Sequence, residues 1–572
     1  MTEKKVFVRK ATGLVREIGF LTAMLIVICN MVGLGWQKRL FQFTGPRIVP
    51  ESEYVLGLPP MVMAFILVGI VVLFTVWALS ILGASMPRSG GGYVYISRIL
   101  HPSVGYVASW LEYFSIAVSY GLIGTAVFEA VTIYAWMAGW GTSWATPEAL
   151  LIGGMAIVAL FAIITCFGVR MTGMMLHVIF WVPAIVTVVL YGFLLMATPE
   201  ALNSGIESLT HGVTANAFTT QALAGFSGVP GMAVSPASYW DAVSYASLGA
   251  FWAYIGFGAS TFVAGEIKEA AKNLPKQLFT ANTIVVFLYI TISFLVARAA
   301  MMVGQVGGYS FFSSYSWLSY GAGGAGRAWL SSIDVGRAWM PNIAGFAAQG
   351  MGQGWFLILI PIFAALWVAN DIPPFILTSS RVIFAMAFDR VLPEKLAEVN
   401  ERWHTPIYAV LVTMIVAFIG NFAESDVLNG WLGSGHVIYK FLNPDGGVAA
   451  TDIWDSLFFL LCAVAAMIFI FRRKDIYERS PFKAGGPMVV TLIGTIATVA
   501  NIWFLWQVIN GWKWWASGQP WWTVDWDGLN WTAWVWTLLI IVVSLLVYYY
   551  YRTKGKRAGV DYSTIYAEIP PE

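Results

Sequence analysis

Twelve runs of about 20 mostly apolar residues recur along this 572-residue chain, each long enough to cross a lipid bilayer as a helix. They centre near Ile26, Val71, Val118, Ala159, Val186, Ile255, Phe287, Ala364, Ile415, Val464, Ile496 and Leu539. Lipid offers no hydrogen bonds, so each backbone must satisfy its own N–H and C=O groups, and a helix does so within one segment. Charged residues make up only 11% of the chain, against about 25% in soluble domains. The expected fold class is all-α, a polytopic membrane protein with 12 transmembrane helices. The first run lacks a small-residue cleavage site and is long enough to span, so it reads as a helix rather than a cleavable signal peptide.

Orientation follows from Lys and Arg placement, which favours the cytoplasmic side. With the N-terminus inside, 24 of the 32 basic residues fall in inner segments and 8 on the outer side. This predicts a multi-pass protein of the cell membrane with both termini cytoplasmic. Residues 198–244 and 303–350 read as outer loops rich in Gly, Ser, Ala and Tyr. Residues 511–530 carry Trp512, Trp514, Trp515, Trp521, Trp522 and Trp526, which suits anchoring in the headgroup belt. Asn530-Trp531-Thr532 is a glycosylation sequon on that side.

Two apolar runs are broken at their middles by glycines, at Gly33 with Gly35 and at Gly256 with Gly258. A break at membrane depth frees backbone groups that cost several kcal/mol each unless something satisfies them. Matching breaks in two halves of a chain point to a solute-binding site between them. Close helix packing is the structural alternative for such glycines.

Other chemistries lack their residues. Cys29, Cys166 and Cys462 all lie in apolar spans without metal spacing, and the five His are scattered. No phosphate-binding loop and no nucleophile–base constellation is present, so no catalytic residue, resident metal or cofactor is assigned. The basic residues are spread over seven inner segments and form no stripe of the kind that tracks nucleic acid. The expected partners are a small solute and the lipid bilayer.

Four segments resemble the amino acid–polyamine–organocation (APC) superfamily. They are Pro87-Arg88-Ser89-Gly90-Gly91-Gly92-Tyr93 with its continuation to Trp110, Phe251 to Gly258 running into Glu266, Lys268, Lys272, Asn273 and Pro275, Ser380-Arg381 through Asp389 to Pro393, and Arg479-Ser480-Pro481-Phe482. Their order and spacing match over about residues 15–550. The resemblance implies a LeuT-like core of two inverted five-helix repeats plus two peripheral helices, with the glycine breaks in helices 1 and 6. It also implies a division into a cytoplasmic tail (1–18), a transport core with helix 11 (19–510), an outer Trp-rich loop with helix 12 (511–551) and a cytoplasmic tail (552–572). The family's solutes are mostly amino acids and related amines.

On that resemblance the substrate lies among Met31, Val32, Gly33, Leu34 and Gly35 of helix 1 and Phe251, Trp252, Ile255 and Gly256 of helix 6. The amides of Leu34 and Gly35 begin a half-helix and suit a carboxylate. The carbonyls of Phe251, Trp252 and Ile255 suit an ammonium. Trp252 stands where relatives close an aromatic over the substrate, with lipid-facing or packing Trp as the alternative. Arg39 resembles an outer-gate arginine with an acid on helix 10, where Asp452 and Asp455 stand; interfacial anchoring is the alternative.

The chain departs from the family at Leu34, where a small hydroxyl residue is frequent, at Gly258, where a Glu is frequent, and in helix 5, which lacks the lysine of proton-coupled members. Asn370 and Asp371 lie inside an apolar span, where charged groups are functional candidates. With the carbonyls of Cys29 and Val32 they suit a hard cation, Na+ or H+ being the coupling ion; a capping Asp before Pro373-Pro374 is the alternative. Glu112 in helix 3 is the other buried carboxylate candidate, but it lies closer to the cytoplasmic end and the interfacial reading is preferred. The expectation is a cation-coupled secondary transporter of an amino acid or amine, with a non-transporting receptor of the same fold as the alternative and the oligomeric state left open.

Overall fold

The computed structural model describes residues 13–444, 446–516 and 530–569. Helices dominate it, and among the described residues only isolated β-bridges occur. In chain order the elements that position the site are α1 (Phe20–Met31), α2 (Leu34–Thr44), α3 (Pro60–Ser85), α4 (Gly92–Ile99), α5 (Pro102–Ala135), α6 (Pro147–Cys166), α7 (Val169–Met196) and α8 (Tyr239–Tyr254). There follow α9 (Ala259–Phe262), α10 (Ala270–Met301), α11 (Phe356–Ala369), α12 (Ile372–Phe388), α13 (Ile407–Glu424), α14 (Ala450–Arg472), α15 (Pro487–Ala516), α16 (Asn530–Arg557) and α17 (Tyr562–Ala567).

Among the described residues, 11 helices are long and apolar enough to span a membrane. The expected sixth span is absent from that number because its unbroken helical part, α8, is only 16 residues long and stops at Ile255. Burial separates centre from periphery. The most apolar window of Phe20–Arg47 is 78% buried, whereas those of α6, α7 and α16 are 33% buried and present residues such as Ile152, Val178, Val188 and Leu538 outward. The 34-residue α5 runs through the middle and packs on α6, α11, α12, α13 and α14. Gly121 and Gly420 let α5 and α13 approach backbone to backbone, since a Cβ at either would strike the other helix, and Asn421 seals the contact by donating to the Gly121 carbonyl at 2.8 Å.

The segments read as loops at 198–244 and 303–350 are largely helical. Pro199–Leu209, Ala215–Ala224, Phe311–Ser316, Gly323–Ser332 and Met340–Gly350 form a cap. Thr198, Thr214 and Ser310 cap three of these helices with their side chains, and Phe218 meets Phe311 and Trp329 edge-on beneath them. Low hydropathy marked these segments as extramembranous but hid their caps. Most of the Trp-rich stretch lies outside the described residues.

Candidate functional site

The two glycine breaks are real interruptions of the backbone, and they face each other. Between α1 and α2, Val32 and Gly33 leave helical geometry (φ/ψ −91/85 and −140/−117). After α8, Ile255 turns extended and Gly256 takes φ +102, a left-handed angle that a side chain would strain. Close approach explains the glycines further. A Cβ on Gly256 would strike the Asn30 carbonyl, one on Gly33 would overlap the Asp371 carboxylate, and one on Gly35 would come within 2.7 Å of Ala253.

Specific side chains satisfy the freed carbonyls. Tyr289 of α10, fully buried, directs its hydroxyl to the carbonyls of Met31 and Ala253, the latter at 3.1 Å, and so joins both breaks. Gln37 donates to the carbonyls of Gly33 (3.2 Å) and Ala364 (3.3 Å). Asn282 donates to the Phe257 carbonyl at 3.0 Å. None of these three was singled out from sequence. The available signal was a lone hydrogen-bonding side chain within an apolar span, and Tyr289 and Asn282 both sit within α10.

A small cavity of about 20 Å³ lies at the junction, lined by Asn30, Met31, Gly35, Ser119, Ile123, Trp252, Ile255, Asp371 and Phe375. Such a volume holds about one water. Of the expected substrate residues, Met31, Gly35, Trp252 and Ile255 reach it. Val32, Gly33 and Gly256 stay in the wall behind, and Leu34 faces the larger space beyond. As the first residues of α2, Leu34 and Gly35 have no preceding helical turn to occupy their amides. Phe251 points elsewhere, its ring stacked on Phe504 with centroids 3.6 Å apart. The carbonyls of Phe251 and Trp252 already accept the Ile255 amide, at 3.0 and 3.4 Å.

Asn370 and Asp371 occupy a third discontinuity, between α11 and α12. The backbone remains right-handed there, but Pro373 and Pro374 supply no N–H, so the carbonyls of Ala369 and Asn370 lack their helical donors. Asp371 makes no capping bond to α12. Its Oδ1, both side-chain polar atoms of Asn370 and the Asn30 amide nitrogen are buried without a hydrogen-bond partner. Cys29, on the adjoining turn of α1, lies within electrostatic reach of Asp371. Asp371 thus brings a carboxylate with an unpartnered oxygen against Gly33 of the break, with no basic side chain among the cavity's lining residues.

A vestibule of about 640 Å³ opens on the side away from the chain termini, with Trp252 and Ile123 shared between it and the small cavity. The Arg39 guanidinium stacks 3.9 Å from the Trp252 ring centre and bonds Gln42 at 2.5 Å. Arg39 is therefore buried in the vestibule floor and Trp252 faces the two cavities. Asp452 is the acid that acts most strongly on Arg39, across the vestibule and without a salt bridge among the described residues. Lys38 meets Glu129 at 3.5 Å. Glu112 corrects the expectation of an interfacial carboxylate: only 2% exposed, it faces Asp455 between α5 and α14. Its position toward the cytoplasmic half of the span suggests an interfacial site, but α14 covers that turn.

The end carrying the termini is shut by two buried ion pairs. Arg381 of α12 grips Glu266 with two bonds, at 2.8 and 2.7 Å. Arg98 of α4 meets Asp389 at 2.8 and 2.6 Å, and Tyr93 donates to the same carboxylate at 2.8 Å. The segment before α1 pairs with the one after α9, Ile18 bonding the Glu266 carbonyl at 2.9 Å. Glu266, Arg381 and Asp389 stood in the family-like segments with no role attached.

Comparison with known proteins accords with this geometry. A family model described as "Amino acid permease" matches residues 18–544. The chain is 22% identical over 505 residues to the glutamate/serine transporter AimA of Bacillus subtilis, covering 86% of this chain and 78% of the relative. It is 22% identical over 488 residues to the human large neutral amino acids transporter small subunit 2, covering 85% and 76%. It is 23% identical over 419 residues to the branched-chain amino acid permease BcaP of Bacillus subtilis, covering 72% and 76%.

Proposed function

The chain belongs to the amino acid permease family, whose members here are transporters rather than enzymes, and on that premise we propose that it is a secondary active amino acid transporter working by alternating access. The observation that carries this reading is the asymmetry of the two barriers. Toward the vestibule the central cavity is covered by Trp252 and its stacked Arg39. Toward the termini lie two buried ion pairs and the packed Gly90–Ala385 contact. A solute arriving from the vestibule meets the thinner barrier. Its carboxylate meets the amides at the start of α2, and its ammonium the remaining lone pairs of the α8 carbonyls.

Coupling to a cation at Asp371 completes the proposal. The unpartnered oxygens of Asn370 and Asp371, together with the carbonyls of Cys29 and Val32, suit Na+ by their hardness; Asp371 alone suits H+. The basic asymmetry of the loops supports cytoplasmic termini, with the vestibule on the outward side in this reading.

Purified protein in liposomes, given labelled amino acids outside under an inward sodium gradient, a pH gradient or neither, tests both parts. Accumulation above equilibrium under one gradient, lost in Asp371→Asn, is expected. No uptake of any amino acid under any gradient overturns the transporter reading. Full gradient-driven accumulation by Asp371→Asn overturns the coupling role alone.

A further inference from the structure

We infer that the central site selects amino acids with uncharged side chains and excludes the dicarboxylic ones, because its lining offers a second carboxylate no cation; the inference rests on the transporter reading above. The cavity lining holds a single ionisable side chain, Asp371, 5% exposed with Oδ1 unpartnered. No Lys, Arg or His lines it. The Arg39 guanidinium lines the vestibule and not the cavity, with its face on the Trp252 ring and Nη1 on Gln42. Lys38 is held by Glu129. Neither cation reaches past Trp252 into the cavity.

The charge balance follows. One coupling cation neutralises Asp371, and a zwitterion adds nothing, so the occupied site is neutral. A dicarboxylic amino acid adds a second carboxylate with no donor cation, enclosed by Met31, Ile123, Ile255, Phe375 and Trp252. An unpaired charge in apolar surroundings is strongly disfavoured. Ser119 and the Asn30 amide can serve a neutral polar group, and the apolar walls an aliphatic one.

Isosteric pairs separate charge from size. In liposomes at neutral pH, unlabelled asparagine and aspartate, and likewise glutamine and glutamate, compete against the best-transported labelled neutral amino acid. The amide of each pair is expected to inhibit at concentrations roughly tenfold or more below its acid, a difference of about 1.4 kcal/mol. Equal inhibition by acid and amide overturns the inference while leaving the transporter reading intact. Absence of uptake for every amino acid overturns both. In Asp371→Asn, competition is followed by thermal stabilisation in detergent, which needs no gradient; the acid-to-amide ratio should stay well above one, because the apolar walls and the missing cation remain. A ratio near one in the folded variant overturns this account, since the exclusion would then come from the Asp371 charge and not from the missing cation. If that variant does not fold, the wild-type pairs decide alone.

Discussion

Trp252 and Gly33 show how much one side chain, or its lack, settles at this site. Trp252 is the shared wall of cavity and vestibule, and its ring carries the Arg39 guanidinium at 3.9 Å. A desolvated cation–π contact contributes about 2 kcal/mol. Trp252→Ala should therefore weaken substrate binding by about 10- to 30-fold at unchanged membrane expression, and Trp252→Phe should retain part of it; wild-type affinity in Trp252→Ala would remove the ring from the barrier. Gly33→Ala makes the opposite kind of change, adding a methyl where the Asp371 carboxylate already lies. Overpacking of this kind costs about 1–3 kcal/mol, and here the displaced group is the proposed cation ligand. Half-maximal uptake in Gly33→Ala should need a higher driving-cation concentration, measured by titrating that cation at saturating substrate. The glycine pattern was legible because only glycine tolerates φ +102 at Gly256 without strain. The reason Gly33 must lack a side chain was not legible, because Asp371 is over 300 positions away.

At the scale of elements, the interrupted helices are held by partners from other helices. The Tyr289 hydroxyl lies between carbonyls at the ends of α1 and α8, so Tyr289→Phe removes the one proton that these two buried acceptors share. A loss of about 1–3 kcal/mol is expected, read as a lower melting temperature in detergent. At the other end, Arg381 and Glu266 are both completely buried. Removing one partner strands the other charge and costs about 3–5 kcal/mol, whereas replacing both with apolar residues is close to neutral. Glu266→Gln should therefore destabilise strongly, and Glu266→Met combined with Arg381→Met should recover much of the loss; equal destabilisation in the single and double variants would show that the pair's charge balance is not what matters. The C-terminal α17 adds a further layer, since Tyr566 lies against Tyr93 and beneath Arg98, and Arg473 holds the Ala567 carbonyl at 2.7 Å. The helices themselves were readable one by one from hydropathy. The cap helices were not, because short amphipathic helices outside the bilayer lack a long apolar run.

For the whole molecule, the chain is an asymmetric container with a wide vestibule at one end and ion-paired layers at the other. A single-cysteine reporter at Leu150, on the vestibule wall, should react with a membrane-impermeant thiol reagent, while one at Ala385, packed on Gly90, should not until the terminal end opens. Substrate with its driving ion should reverse that pattern; reactivity unaffected by any substrate would count against alternating access. The sequence by itself determined that this protein lives in lipid, that it is built of helices, and that two of those helices are broken at membrane depth. These are local consequences of a solvent that cannot hydrogen-bond, and each is written in a window of about 20 residues. Tertiary structure alone decided that the two breaks share the Tyr289 hydroxyl, that Asp371 stands against Gly33 with no basic neighbour in the cavity, that Glu112 is covered by α14, and that Glu266 finds Arg381. Each of these pairs residues from separate spans, and apolar runs that are interchangeable in their liking for lipid carry no record of which neighbour they will meet; packing and buried polar contacts make that choice.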